Sequence, residues 1–254
     1  MDLPRNAFKH ALAAGERQIG LWCSLCSNIT VELVSDSGFD WLLLDTEHSP
    51  NELPAVLSQL QAARGGTATP IVRPSSNDPV QIKRLLDIGA PGLLIPYVQS
   101  VDEARRAVEA TRYAPEGIRG VTGSGRASRY GRVPGYLQKA ESEISLLLQV
   151  ETREAMEQLE AIASVPGVDG VFIGPADLST SYGYHGVWSA PPMQALLKEA
   201  VDRLTALGKP AGILTANEEE ARRFLDWGYR FVAVGADLGL LRAAADGLAR
   251  RFKA

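Results

Sequence analysis

The chain has 254 residues and a formal net charge of −4, and 45% of it is hydrophobic. That size and apolar content suit one domain, 1–254, with a sizeable core. Mild acidity argues against a nucleic-acid partner, which needs a basic face. No apolar run approaches the ~20 residues that span a bilayer, and residues 1–6 lack the apolar core of a secretory leader, so no membrane contact and a cytoplasmic setting are expected.

About the first fifteen residues read as a helix. Eight strand-like runs with few charges follow, at 19–25, 39–44, 70–73, 92–98, 145–151, 168–173, 211–215 and 229–235. Such runs suit parallel strands covered by helices. The only cysteines, Cys23 and Cys26, fall in the first run. Strand positions three apart face opposite sides, so two buried, reduced thiols are expected rather than a zinc or redox pair. Between the runs the periodicity is helical, clearest over 102–110 and 217–227, with Asp102 and Asn217 placed to cap N-termini. Gly89 and Gly228 stand where helices end. Eight β–α units in this length predict a (β/α)8 TIM barrel with an N-terminal helix. A doubly wound open sheet is the alternative, but it would carry a Gly-rich loop after the first strand, and Cys23-Ser24-Leu25-Cys26 is not one.

In a barrel the reactive groups gather at the C-terminal ends of the strands. The second strand ends in Asp45-Thr46-Glu47-His48. Two carboxylates and an imidazole are costly to bury unpartnered, so this cluster belongs at a solvent-reachable strand end. The other two histidines, His10 and His185, read as surface residues. The third strand ends in Arg73, a guanidinium that faces an anion or pairs with a neighbouring carboxylate. The fifth ends in Gln149-Val150-Glu151 and the sixth in Gly174-Pro175-Ala176-Asp177. Gln149 and Glu151, two apart, share a strand face. Glu151 and Asp177, on adjacent strands, either converge or each cap the next helix. Converging carboxylates without Cys or a second His suit a hard cation such as Mg²⁺ or Mn²⁺ better than zinc. Trp22 and Leu214, near the ends of strands one and seven, line the pocket or fill the barrel core.

None of the six lysines, Lys9, Lys83, Lys139, Lys198, Lys209 and Lys253, ends a predicted strand. A Schiff-base mechanism needs a desolvated lysine in the pocket, so carbonyl chemistry here would lean on a metal. The long connection 117–132 is rich in Gly, Ser and Arg, and long loops in compact domains are often functional. Its Arg119, Arg126 and Arg129 either attract an anionic substrate, stay solvated, or touch a neighbouring subunit. The glycines at 120, 123 and 125 follow no strand and give little support to a phosphate loop.

These segments resemble the HpcH/HpaI family of metal-dependent pyruvate aldolases over nearly the whole chain. The likeness is carried by Gly38-Phe39-Asp40-Trp41-Leu42-Leu43-Leu44-Asp45 with Glu47-His48, and by Val72-Arg73-Pro74 with Asn77-Asp78-Pro79-Val80-Gln81-Ile82-Lys83. It continues through Gly117-Ile118-Arg119-Gly120, Gln149-Val150-Glu151-Thr152-Arg153-Glu154-Ala155 and Gly170-Val171-Phe172-Ile173-Gly174-Pro175-Ala176-Asp177-Leu178-Ser179.

The resemblance implies a reversible aldol cleavage of 4-hydroxy-2-oxo acids to pyruvate and an aldehyde such as succinic semialdehyde. Decarboxylation of oxaloacetate and cleavage of a sugar-derived 2-keto-3-deoxy acid are the alternatives. It implies Glu151 and Asp177 as ligands of Mg²⁺, Mn²⁺ or Co²⁺, with no organic cofactor. Gln149 and the backbone of Gly174, Pro175 and Ala176 would hold pyruvate, which also chelates the metal. His48 would be the base and Arg73 the enolate stabiliser. Asp45 and Asp87 would orient the histidine or raise its basicity, Asp87 across a subunit contact. Glu47 is left to bond a metal-held water. The family's usual assembly is a homohexamer, a dimer of trimers, with the last helix exchanged between subunits. Thr46 stands where many relatives carry Gly, and 121–132 varies in the family, so the aldehyde stays open.

Overall fold

The computed structural model describes residues 1–253. In chain order it runs α1 (Ala7–Ala13), β1 (Gln18–Cys23), α2 (Asn28–Ser35), β2 (Trp41–Asp45), α3 (Leu53–Ala62), β3 (Thr69–Arg73), α4 (Pro79–Asp87), β4 (Gly92–Ile95) and α5 (Val101–Thr111). It continues α6 (Tyr136–Lys139), β5 (Ser145–Val150), α7 (Arg153–Glu157), α8 (Leu159–Ala163), β6 (Gly170–Ile173), α9 (Pro175–Ser181) and α10 (Pro191–Ala206). The last elements are β7 (Ala211–Leu214), α11 (Glu218–Trp227), β8 (Phe231–Ala236) and α12 (Asp237–Lys253). The eight strands pair in sequence order, all parallel, and β8 closes on β1. This is the expected (β/α)8 barrel with a helix ahead of it.

Strand alternation builds two cores. Trp22, Trp41, Leu43, Ile71, Leu94, Leu147, Phe172 and Phe231 point inward and fill the barrel. Their neighbours Leu21, Leu42, Leu44, Val72, Leu93, Leu148 and Val171 point outward into the helical layer. With both faces covered, these strands read as near-continuous apolar runs. Helix α1 closes the N-terminal end of the barrel with Phe8, whose ring lies 5.7 Å from Trp41 and 5.9 Å from Phe231.

Local chemistry sets the helix ends. Asn217 caps α11, its side chain accepting from Glu220 N, and Gly228 ends that helix at φ +115°. At α5 the cap is Ser100, which accepts from Glu103 N at 3.2 Å, and the expected cap Asp102 lies inside the first turn. Both cysteines are free, but only Cys23 is buried. β1 ends at Cys23, and Cys26 sits beyond it, half-buried, with a left-handed φ of +54°. The strand is shorter than its apolar run because Asp237 draws the chain aside, accepting from Ser24 N and Leu25 N. His185 is exposed, whereas His10 is half-buried with Nε2 3.0 Å from Glu143. Among the described residues no helix is long and apolar enough to cross a membrane.

The inner core leaves no room for added atoms near Phe231. A methyl group on Gly212 would sit 2.1 Å from that ring. Gly212→Ala is therefore expected to cost about 1–3 kcal/mol through overpacking, read as a lower urea midpoint at unchanged slope.

Candidate active site

Asp45 and Arg73 are the last residues of β2 and β3, and the register pairs them directly. Arg73, 5% exposed, donates from Nε and Nη2 to the two oxygens of Asp45 at 2.8 and 2.7 Å. This fork is the strong, planar form of the ion pair. Trp22 completes it: its Nε1 donates to Asp45 at 3.2 Å, and its ring lies under the guanidinium at 4.9 Å. Glu47 N donates to Asp45 Oδ1 at 3.0 Å, and Thr46 Oγ1 donates to Arg73 O at 2.6 Å. Thr46 thus ties the end of β2 to that of β3. Burial alone would raise the Asp45 carboxyl, but Arg73 holds it below its ordinary value.

The third nitrogen of Arg73, Nη1, lies 2.8 Å from Glu47 Oε2. The pair is close but poorly aligned, so that buried oxygen has no hydrogen-bond donor. Burial raises the Glu47 carboxyl; Arg73 and His48 oppose this, while Asp45 and Asp177 add to it.

Glu151 follows β5 and is 2% exposed. Gln149 Nε2 donates to its Oε2 at 2.6 Å, and Tyr97 N donates to its Oε1 at 2.9 Å. Burial pushes its carboxyl up to about 7, with Asp177 and Glu47 adding to the rise against the Gln149 hydrogen bond. Asp177 stands in the first turn of α9 and is exposed. A Cβ on Gly174 would fall 2.4 Å from Glu151 Oε2 and 3.2 Å from Gln149 Nε2, so only a bare backbone fits there. Pro175 is buried beside it and Ala176 is exposed. Gln149 Oε1 is buried without a partner.

Asp177 therefore raises the proton affinity of both Glu47 and Glu151, and Glu47 adds to that of Glu151, while Arg73 already serves Asp45. Glu151 and Asp177 are the pair that could hold a cation. The all-oxygen donor set suits a hard one, and a positive charge in that gap relieves the mutual repulsion. Among the described residues no three His, Cys, Asp or Glu side chains gather as a complete metal cage.

Not every expected residue meets this centre. His48 is at the strand end, but its side chain is 67% exposed and its Nε2 lies 3.9 Å from Glu47 Oε2. Asp45 does not orient it in this chain, because both Asp45 oxygens are taken by Arg73, Trp22 and Glu47 N. Asp87 ends α4, where the chain turns toward the start of β4, and pairs with Arg119 at 3.1 Å. Within one chain it is thus held at the opposite rim. Trp22 and Leu214 both belong to the inner core, Leu214 half-buried at its upper edge. Lys9 and Lys209 bind Asp169 and Val168 O at the far rim, and Lys198 pairs with Asp202 along α10. Tyr97 is a site residue that strand-end reading misses, because it contributes a backbone N–H from a left-handed φ of +54°.

A closed barrel with acidic strand ends and a clamped arginine has the make-up of an enzyme active site, and comparison with known proteins gives its class. A model of the HpcH/HpaI aldolase/citrate lyase family matches residues 18–244. The chain is 56% identical over 252 residues to a pyruvate aldolase of Rhizobium etli, covering 99% of both. It is also 56% identical over 250 residues to the 4-hydroxy-2-oxo-heptane-1,7-dioate aldolase of Escherichia coli, covering 98% of this chain and 95% of that one. A crystal structure of a family protein from Burkholderia cenocepacia superposes with a TM-score of 0.94 at 35% identity, covering 98% of this chain and 100% of that one. The chain belongs to the HpcH/HpaI aldolase/citrate lyase family. It is a carbon–carbon lyase.

Removing Asp45 strands a buried guanidinium, so Asp45→Ala should lose about 3–5 kcal/mol of stability. The native pKa of Asp45 is depressed. Its contribution is therefore present above the unfolded value of ~3.9 and lost as pH falls through the lower folded one. Urea melts of wild type and variant should differ most at neutral pH and converge in acid.

Proposed function

We propose that the protein cleaves 4-hydroxy-2-oxo acids, foremost 4-hydroxy-2-oxoheptanedioate, reversibly into pyruvate and an aldehyde, here succinic semialdehyde. The observation that carries this reading is the coupled set of carboxylates Glu47, Glu151 and Asp177, with Arg73 2.8 Å from Glu47 and no lysine among the charges that shift them. Glu151 and Asp177 hold a divalent cation, Mg²⁺, Mn²⁺ or Co²⁺. When bound, it supplies Lewis acidity toward the carboxylate and keto oxygens of the 2-oxo acid.

The chain's own groups do the rest. Gln149 fixes Glu151, whose carboxylate packs against the bare backbone of Gly174, and the Gly174–Pro175–Ala176 backbone would hold the pyruvyl end. His48, exposed at the strand end, takes the C4 hydroxyl proton, a transfer for which imidazole is the usual group. The C3–C4 bond then breaks, the aldehyde leaves, and the electron pair stays as pyruvate enolate. Arg73 faces that developing oxyanion, and its fixed donors need no reorganisation as charge appears. Glu47 holds water at the cation site. Trp22 and Leu214 border the aldehyde side.

The reading extends to assembly as a hexamer, a dimer of trimers. Helix α12 supports it: Leu238, Leu240, Leu241, Leu248 and Phe252 are each more than half exposed, and its one buried residue is Asp237. An apolar helix of this kind needs cover, which a neighbouring subunit supplies. Such packing also lets Asp87 reach the histidine of an adjacent subunit. Two free cysteines suit a cytoplasmic setting.

A second reading, decarboxylation of oxaloacetate through the same enolate, is favoured by the solvent position of His48 and its lack of an orienting partner within the chain. His48→Ala separates the two, since loss of aldol cleavage with decarboxylation retained assigns His48 to the aldol step alone.

EDTA treatment should abolish cleavage and added Mg²⁺, Mn²⁺ or Co²⁺ restore it; full activity in the chelated protein would overturn the metal assignment. Borohydride with pyruvate should leave the mass unchanged, and a trapped adduct would show a Schiff-base lysine instead. Arg73→Ala should lower kcat about 10²–10³-fold, the usual loss for an oxyanion-stabilising donor, in protein shown to be folded by circular dichroism.

A further inference from the structure

At the rim opposite the catalytic strand ends, a cavity of about 850 Å³ opens between residues 1–7, the turn after α3 and the 126–132 loop. It meets the barrel where the strands begin, at Thr69 and Pro70 of β3 and at Pro91 and Ile144 just before β4 and β5. Strands of this length, at ~3.3 Å per residue, put it roughly 15 Å from the acidic cluster.

Its charge is opposite to that of the chain. Five arginines line it, Arg5, Arg64, Arg126, Arg129 and Arg132, against one carboxylate, Glu143. That carboxylate is engaged already, accepting from Asn6 N at 2.6 Å and lying 3.0 Å from His10. Among the described residues none of the five arginines takes part in an ion pair. Arg126 spends its donors on two carbonyls, Ile88 O at 2.7 Å and Leu60 O at 3.1 Å. Burial lowers its pKa; Tyr130 opposes this, and the positive charge of Arg64 adds to it more weakly. Like charges gathered in a concave, half-enclosed space without counter-charge are unfavourable unless an anion joins them.

Two more features favour a ligand over a merely solvated cluster. Leu60, Leu86, Tyr130 and Tyr136 share the lining, so the walls offer apolar surface beside the guanidinium groups, the usual make-up of a small-molecule site. Arg129, Tyr130 and Gly131 are consecutive residues with φ of +51°, +59° and +81°. Left-handed backbone at non-glycine residues costs about 1–3 kcal/mol each and concentrates at ligand clamps. Here it turns Arg129 and Tyr130 onto the cavity wall.

We propose that this cavity is a second binding site, separate from the reaction centre, for an organic anion: a small molecule bearing carboxylate or phosphate groups on an apolar body. Guanidinium groups match both kinds of oxyanion bidentately, and the half-open cavity has the volume for a ring or short chain behind them.

The test is calorimetric titration of the intact protein with phenyl phosphate, phenylacetate and inorganic phosphate. One of the two aromatic anions should bind with one site per chain, at least tenfold more tightly than inorganic phosphate, and the tighter of the two identifies the acid group. The double variant Arg64→Ala, Arg129→Ala should weaken that binding tenfold or more and leave aldol cleavage within twofold of wild type. Glu151→Gln should leave it unchanged. The charge reversal Arg64→Glu, at an exposed position, serves if the double variant folds poorly. Three results would overturn the proposal: no binding of any of the three probes at millimolar concentration, binding lost in Glu151→Gln, or binding indifferent to both arginine variants.

Discussion

The ion pair between Asp45 and Arg73 is the constraint on which the site depends. It lies at the point where two adjacent strands of a closed barrel end together, so its geometry follows from strand register rather than from a loop. The fork fixes the guanidinium plane, the Trp22 ring supports it from below, and Thr46 locks the two strand ends to each other. A buried ion pair is weak evidence for stability, because desolvation offsets much of the attraction. Its value here is orientation. An arginine that has to meet a charge appearing during the reaction is most effective when it does not move to do so.

Once Asp45 has claimed Arg73, the remaining carboxylates are under-compensated. Asp177 raises the proton affinity of Glu47 and Glu151, Glu47 adds to that of Glu151, and the hydrogen bonds from Gln149 and Tyr97 fall short of the burial of Glu151. Two charges 4 Å apart interact by about 4 kcal/mol at an effective dielectric of 20. A site built so either takes up protons or takes up a cation.

Much of this was legible in the chain. Eight low-charge runs spaced by helical periodicity specified the barrel, because strands buried on both faces leave that signature. Reading only the strand ends singled out Arg73, Gln149, Glu151 and Asp177, and the fold sets all four at or just beyond the C-terminal ends of β3, β5 and β6. What stayed hidden depended on which partner wins a side chain. Asp45 is close to His48 in sequence and 28 positions from Arg73, and only register shows that the guanidinium takes both its oxygens. Tyr97 acts through its backbone, so its side-chain type carries no signal. Cys26 lay in an apolar run that reads as strand, but Asp237, more than 200 positions away, ends that strand early. Asp102 looked like a cap because it precedes a helical pattern, yet Ser100 stands two residues earlier with a better-placed hydroxyl.

The two rims of the barrel carry opposite imbalances, and the core between them explains why they do not cancel. Acidic groups crowd the C-terminal ends of the strands, and arginines crowd the space below the N-terminal ends of β3, β4 and β5. Between them lie the aromatic rings of Trp41, Phe172 and Phe231, with Phe8 as a plug. At roughly 15 Å and an effective dielectric of 20, a pair of unit charges interacts by about 1 kcal/mol, against about 4 kcal/mol at contact distance. Attraction through the barrel is therefore too weak to satisfy either cluster, and the packed core gives no path for the side chains to approach. Each rim is left without compensation from the other. The same apolar filling that makes the fold thus keeps the two charged rims distinct.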